Sequence, residues 1–306
     1  MQQTTPRPLR FIGAASGSGG RDSAGNAAAP AFAEPRLLST LTGAQWAGTV
    51  HEPPAATRLA AVAALCAQLA DAVSEAMTHD ALPVVVGGDH SCAVGTWSGV
   101  SAFLQRTAPA APSFGLLWVD AHMDSHTFDT SDSGNIHGMP LAALLGDGNA
   151  ALTALGGTQP KLRGEHVVLF GVRSYEPGEA HLLQAHGVRV FTMREIAQRG
   201  VQACFAEAVH RVSQAPAGFG LTFDLDALDP QDAPATCCHE PGGLRLDEML
   251  QALALLPRER LLAAEFVELN AQLPGAERTV QAMAELIRTC VQPTQQAAHP
   301  EWRWAA

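Results

Sequence analysis

The segment WVDAHMDSH, residues 118–126, sets Asp120, His122, Asp124 and His126 at alternate positions directly after an apolar run. Alternation of this kind suits the wetted face of an edge strand. It equally suits metal ligands presented on one side of an extended chain. Acids and histidines recur after other apolar runs. VVVGG leads into Asp89-His90-Ser91, LTF into Asp224-Leu225-Asp226 and then Asp229, and AAEFV into Glu268. One DxD or HxD alone usually marks a turn or a solvated strand end, so the signal lies in the recurrence. His90, Asp120, His122, Asp124, Asp224 and Asp226 together offer two imidazoles and four carboxylates. Carboxylates gathered this closely repel one another, and a bound cation removes the repulsion. With no thiolate in the set, a harder divalent ion such as Mn²⁺ is favoured over structural zinc. Six ligands exceed what one ion with an open position needs. They suit two ions about 3.5–4 Å apart, which would lower the pKa of a bridging water and supply hydroxide near neutral pH.

For these residues to meet, separate strands must end at one place. Apolar runs of strand length occur at 9–15, 82–88, 114–120, 166–172, 188–192, 219–226 and 261–269. Most are continuous rather than alternating, as expected of strands buried on both faces. Ala/Leu-rich helical stretches separate them at 56–78, 91–107, 178–186, 201–213, 246–256 and 276–290. This β-α-β rhythm predicts an α/β fold with a mainly parallel sheet between helical layers. In such sheets ligands bind beyond the C-terminal strand ends, where the acids and histidines lie. Residues 16–36 read as a Gly/Ser/Ala-rich loop with room for one short helix, and 127–136 read as polar turns. Neither breaks the rhythm as an interdomain linker would. We therefore expect a single domain over 1–306, with 292–306 as a C-terminal extension that packs on a neighbour.

Composition bounds the function. The chain has 306 residues, 47% hydrophobic and 16% charged, with a net charge of −11. It can bury a sizeable core, and its acidic balance argues against nucleic-acid binding. The six cysteines (66, 92, 204, 237, 238 and 290) form no CxxC pair and suit a reduced, cytoplasmic protein. No signal peptide and no membrane span are expected.

Three segments resemble signatures of the arginase/agmatinase (ureohydrolase) family: GGDHS at 87–91, DAHMD at 120–124 and FDLDALDP at 223–230. The similarity extends over about residues 9 to 290 and includes PGGL at 241–244. It implies a three-layer α/β/α sandwich with two Mn²⁺ per subunit, in a homotrimer or homohexamer. By position, His90 and Asp124 would be terminal ligands of one ion and His122 and Asp226 of the other, with Asp120 and Asp224 bridging. In that family a hydroxide attacks the guanidinium carbon, and the products are urea and an amine. Asp124 would relay the proton, and Glu268 would accept hydrogen bonds from the guanidinium. Asp89 and Asp229 would be supporting or structural acids. SGNIHG at 133–138, GTWSG at 95–99 and RSYEPGE at 173–179 are similar to arginase. In them Ser133 and Asn135 would recognise an α-carboxylate, Glu176 an α-amino group, and His137 would pass a proton to the leaving amine. His137 also reads as a loop histidine capping the next helix.

The chain departs from the family at His126, where arginases carry an asparagine, and at Glu176, one methylene longer than the usual aspartate. It also has Cys237-Cys238-His239 where a Gly-Thr-Pro step is usual beside the guanidinium pocket. This puts Cys238 in the substrate pocket. The two cysteines read either as redox-sensitive groups or as small semi-buried fillers. The small guanidino substrate implied is L-arginine, cleaved to L-ornithine and urea. Agmatine, guanidinobutyrate or N-hydroxyarginine are alternatives, as is a formiminoglutamase-like amidine hydrolase. A non-catalytic metal-binding subunit is the reading from another class.

Overall fold

The seven apolar runs and one half-exposed segment form eight strands in a computed structural model that describes residues 7–20, 27–33, 38–39, 41–157 and 159–292. They are β1 (Leu9–Ala15), β2 (Ala44–His51), β3 (Leu82–Gly87), β4 (Gly115–Val119), β5 (Val167–Val172), β6 (Arg189–Thr192), β7 (Phe219–Asp224) and β8 (Leu261–Val267). They make one sheet in the order β2-β1-β3-β8-β7-β4-β5-β6. Every pairing is parallel. The strands that precede the candidate residues, β3, β8, β7 and β4, are the four in the middle. Register aligns their ends: Val119 pairs with Phe223, Phe223 with Phe266, and Val86 with Phe266. Asp120, Asp224, Glu268 and His90 therefore leave the sheet side by side.

Side chains alternate between two apolar layers because successive strand residues point to opposite faces. Val84, Val86, Val119, Phe223 and Phe266 pack on one face, with the helices Ala28–Phe32, Met193–Arg199, Val201–Val212, Leu246–Leu253 and Ala276–Val291. Ile12, Val85, Leu116 and Trp118 pack on the other, with Arg58–Thr78, Ala93–Thr107, Pro140–Leu145, Ala150–Thr153 and Pro177–Ala185. The result is the expected α/β/α arrangement. The helix Arg58–Thr78 starts at Thr57, whose hydroxyl accepts from the Ala60 N–H at 3.1 Å. Two glycines let it lie against Ala93–Thr107. A Cβ at Gly95 would meet the Cys66 carbonyl oxygen at 2.6 Å, and one at Gly99 the Ala70 oxygen at 2.5 Å. By length and composition this helix alone, among the described residues, could cross a membrane. Its Val62, Leu65, Leu69 and Val73 are fully buried in the core, which accounts for its apolar character.

The strand β2 and the helices Pro140–Leu145, Ala150–Thr153 and Met193–Arg199 were not legible in advance. β2 is an edge strand whose residues are half-buried or exposed, with a bulge where β1 shifts register and Gly48 at φ +134°. Met193–Arg199 follows β6 without a break, capped by the Thr192 hydroxyl on the Glu195 N–H. One short helix, Ala28–Phe32, does lie within 16–36. The 292–306 extension falls, beyond its first residue, outside the described residues.

Phe223 is fully buried and stacks on Phe266, with ring centroids 6.1 Å apart, one residue before Asp224. Phe223→Ala is expected to cost about 3–5 kcal/mol of unfolding free energy. A shift in denaturation midpoint worth less than about 1 kcal/mol would mean that the sheet centre repacks freely.

Candidate active site

The loops after β3, β4, β7 and β8 carry the chemistry, and each is pinned by its own backbone. His90 begins a 3-10 turn whose cap, Asp89, accepts from the Ser91 N–H at 3.0 Å and from the Gly19 N–H at 2.8 Å. Asp89 therefore ties the 16–20 loop to the site rather than facing it. Asp224 caps the next 3-10 turn, accepting from the Asp226 N–H at 2.9 Å. Asp120 accepts from the His122 N–H at 2.7 Å and the Trp118 indole at 2.8 Å. The opening segment is thus a strand only to Val119, and residues 120–126 form a loop that folds back on its own carboxylate. Asp124 and Glu268 both have left-handed backbones, φ 48° and 66°. That conformation is unfavourable for side chains of their type and tends to occur at functional positions.

Two ligand clusters result. His90 Nδ1 lies 3.0 Å from Asp124, 3.1 Å from Asp224 and 3.2 Å from Asp120. His122 Nδ1 lies 3.2 Å from Asp226 and 3.4 Å from Asp120. Asp120 belongs to both. The orientation of His90 has a cause that sequence reading missed. Its Nε2 lies 3.0 Å from the Thr222 hydroxyl, which donates to Glu265 at 2.8 Å. An Nε2–H donating into this buried chain leaves the Nδ1 lone pair for the acid cluster. Trp118 stacks on the ring at 4.3 Å. The only sequence signal for Glu265 was an acid inside the apolar run LLAAEFVEL.

Burial pushes the carboxyl of Asp224 well above the ordinary range and that of Asp226 upward, with Asp120 adding to both. Burial and Asp120 lift Asp124 to about 6. Burial works against protonation of His90 and His122, yet the surrounding carboxylates raise both. Such a set is short of positive charge, and its donors suit divalent cations.

One cavity of about 160 Å³ gathers His122, Asp124, His126, Ser133, Asn135, His137, Glu176, Asp224, Asp226, Cys238 and Glu268. His90 and Asp120 lie beneath it, fully enclosed. A larger cavity of about 480 Å³ between β2 and the Arg58–Thr78 helix gathers no comparable ligand set. Asp229 accepts from the backbone of Gln231 and Gly242 and shapes the loop beyond β7. Ser131 and Glu179 also line the site cavity and had not been singled out.

At its inner end, Glu268 Oε1 accepts from the His90 N–H at 2.8 Å and lies 3.2 Å from His137 Nδ1. Glu268 Oε2 is buried and has no hydrogen-bond partner. Burial disfavours the charge on His137, but Glu268 prevails and raises it to about 9. At the outer end His126 Nε2 meets Glu176 at 2.8 Å and Glu179 at 3.5 Å. Asn135 Oδ1 accepts from Arg58 at 3.4 Å, and the Ser131 and Ser133 hydroxyls are 3.4 Å apart. Burial pushes Glu179 up to about 8. Behind the site, the Arg173 guanidinium donates to the carbonyls of Asp226 and Glu240, both at 2.6 Å, and of Ala227 at 3.2 Å. It staples the β7 loop to residues 236–243.

The model of the arginase family matches residues 12–292. The chain belongs to the arginase family. Arginase from Bacillus caldovelox is 41% identical over 75% of this chain and 75% of its own. Arginase from Brevibacillus brevis is 42% identical over 72% of each. A crystal structure of Bacillus cereus arginase superposes with a TM-score of 0.86 at 33% identity, covering 94% of this chain and 99% of that one. Arginase-family membership accounts for the order of the acid and histidine motifs along the chain.

The chain Thr222–Glu265 gives a direct test. Thr222→Val should weaken divalent-metal affinity about 10- to 100-fold, as is usual when the partner of a ligating histidine is lost. Competition against a chelating dye measures it, and unchanged affinity would show that Thr222 does not orient His90.

Proposed function

We propose that the protein is a metal-dependent arginase that hydrolyses L-arginine to L-ornithine and urea. The observation that carries this reading is Glu268 Oε2. It is a buried carboxylate oxygen with no partner, set on a left-handed backbone beside two acid–histidine clusters. A planar guanidinium presents the N–H donors such an oxygen lacks. His90 and Asp124 would hold one divalent cation and His122 and Asp226 the other, with Asp120 and Asp224 serving both. Mn²⁺ is our assignment from the carboxylate-rich donors and the family resemblance. When bound, the cations make water acidic enough to serve as a nucleophile near neutral pH.

The residues of the chain divide the remaining work. Glu268 orients the guanidinium, with its other oxygen held by His90 N–H and His137. Asp124, which lines the cavity beside His90, is placed to take up a proton from the attacking water. Oxygen adds to the guanidinium carbon and the bond to the side-chain nitrogen breaks, so that nitrogen needs a proton. His137, raised to about 9, carries one at neutral pH beside the reacting group.

The outer end favours an amino acid. His126 and Glu176 pair with each other. A zwitterionic α-carbon brings both charges, so it can replace that pair and leave neither residue alone. Ser131, Ser133 and Asn135 add hydrogen-bonding groups for the carboxylate. Agmatine brings only an amine and would strand His126. Support for a homotrimer or homohexamer comes from the family resemblance alone. Support for a cytoplasmic setting comes from Cys66, Cys92, Cys204, Cys238 and Cys290, which are thiols outside any disulfide.

Urea release from L-arginine with added Mn²⁺ is the expected activity, with agmatine about 10- to 100-fold poorer in kcat/KM because one or more polar groups lose their partner. Rapid cleavage of agmatine with arginine inert would overturn the substrate assignment. His137→Asn should lower kcat about 10²- to 10⁴-fold with metal content unchanged. Loss of metal in that variant would mean that His137 is a ligand and not the acid.

A further inference from the structure

We propose that Cys238 is a further protein ligand at the His122–Asp226 position, and that this position consequently selects a softer divalent cation such as Zn²⁺ or Co²⁺ over Mn²⁺. The inference rests on the two-cation reading above and adds a donor that reading does not contain. The sulfur of Cys238, a ring nitrogen of His122 and a carboxylate oxygen of Asp226 all lie within 4.8 Å of one another. All three side chains line the cavity that holds Glu268, so an ion arriving there meets nitrogen, oxygen and sulfur together.

The loop that carries Cys238 is held in place from several sides. The Thr236 hydroxyl donates to the Cys238 carbonyl at 2.9 Å. Thr236 forms an antiparallel bridge with Leu269, directly after Glu268. Arg173 grips Glu240 from one side and Asp226 from the other. The same guanidinium thus fixes one proposed ligand and the loop of another. Glu240 also brings a carboxylate oxygen to 3.7 Å from His122 Nε2. That arrangement favours a proton on Nε2 and leaves Nδ1 for the ion, as acids behind ligating histidines commonly do. The other cysteines differ. Cys66, Cys92, Cys204 and Cys290 are enclosed in the core, with Cys66 bonded to the Ser91 carbonyl and Cys92 facing Glu265. Cys237 belongs to no such cluster among the described residues.

A thiol, an imidazole and a carboxylate form the donor set typical of zinc-like ions. Thiolate is a soft ligand that Mn²⁺ binds poorly relative to Co²⁺ and Zn²⁺. On binding, the Cys238 S–H bond breaks, its proton passes to solvent and the sulfur lone pair forms the bond to the ion. No oxidant or reductant is involved. The His90 side, built from imidazole and carboxylates alone, keeps its preference for harder ions. The two positions would thus differ in the metals they hold.

Cobalt reports on this directly, because thiolate ligation gives Co²⁺ an intense near-ultraviolet charge-transfer band that imidazole and carboxylate do not. Full-length protein, stripped with a chelator and titrated with Co²⁺, should develop the band as cobalt binds. Cys238→Ser and Cys238→Thr should each abolish it while two cobalt ions per chain still bind, and Cys237→Ser should retain it. In competition dialysis, Cys238→Ser should lower the Zn²⁺-to-Mn²⁺ preference at least about tenfold. Two bound cobalt ions without the band, or a band that survives Cys238→Ser, would overturn the thiolate ligand and leave the two-cation centre standing. Failure to bind any cobalt would overturn the two-cation centre as well.

Discussion

Mutual repulsion among Asp120, Asp124, Asp224, Asp226 and Glu268, all buried at one end of the sheet, is the constraint to which the surrounding structure answers. Removing one carboxylate from water is already unfavourable, and each further one raises the energy of its neighbours. The chain meets this with directed hydrogen bonds. Backbone N–H groups of His90, His122 and Asp226 point at the acids, the Trp118 indole holds Asp120, and His137 shares Glu268. What these bonds leave uncompensated is the negative charge that cations and a guanidinium are suited to neutralise. Affinity for positive ligands is in this sense the counterpart of how the fold was strained to build the site.

Support extends one layer further out. Thr222 and Glu265 fix the His90 ring, and Glu265 is itself satisfied by Thr96 and Thr222. Arg173 does the same for the β7 loop through carbonyl oxygens alone. Neither device touches the cavity, yet each sets the direction of groups that do. This explains why a polar chain runs through an otherwise apolar core.

Much of this could be read from the residues. Continuous apolar runs identified the central strands, because a strand covered on both faces leaves no room for alternation. The acids stood out because they followed those runs. β2 escaped notice for the opposite reason: its AQWAGTVH pattern belongs to a half-exposed edge with a bulge, where packing imposes little on sequence. Glu265 and Arg173 escaped because their roles depend on residues 43 and 53 positions away along the chain. The pairing of His126 with Glu176, 50 residues on, was similarly out of reach. Types and local spacing announce ligands, whereas the groups that aim those ligands are specified only by tertiary contact.

The strand order carries a consequence for how the molecule comes into being. β8 is the last strand to be synthesised, yet it lies in the middle, between β3 and β7. Until residues 261–267 are made, β3 and β7 each lack the strand that pairs with them on that side. Unpaired strand edges invite association with other chains. The His90 N–H waits for a carboxylate 178 residues downstream. Contacts of that span close slowly. Neither the continuous sheet nor the His90–Glu268 contact can therefore be complete before that last strand takes its place in the middle.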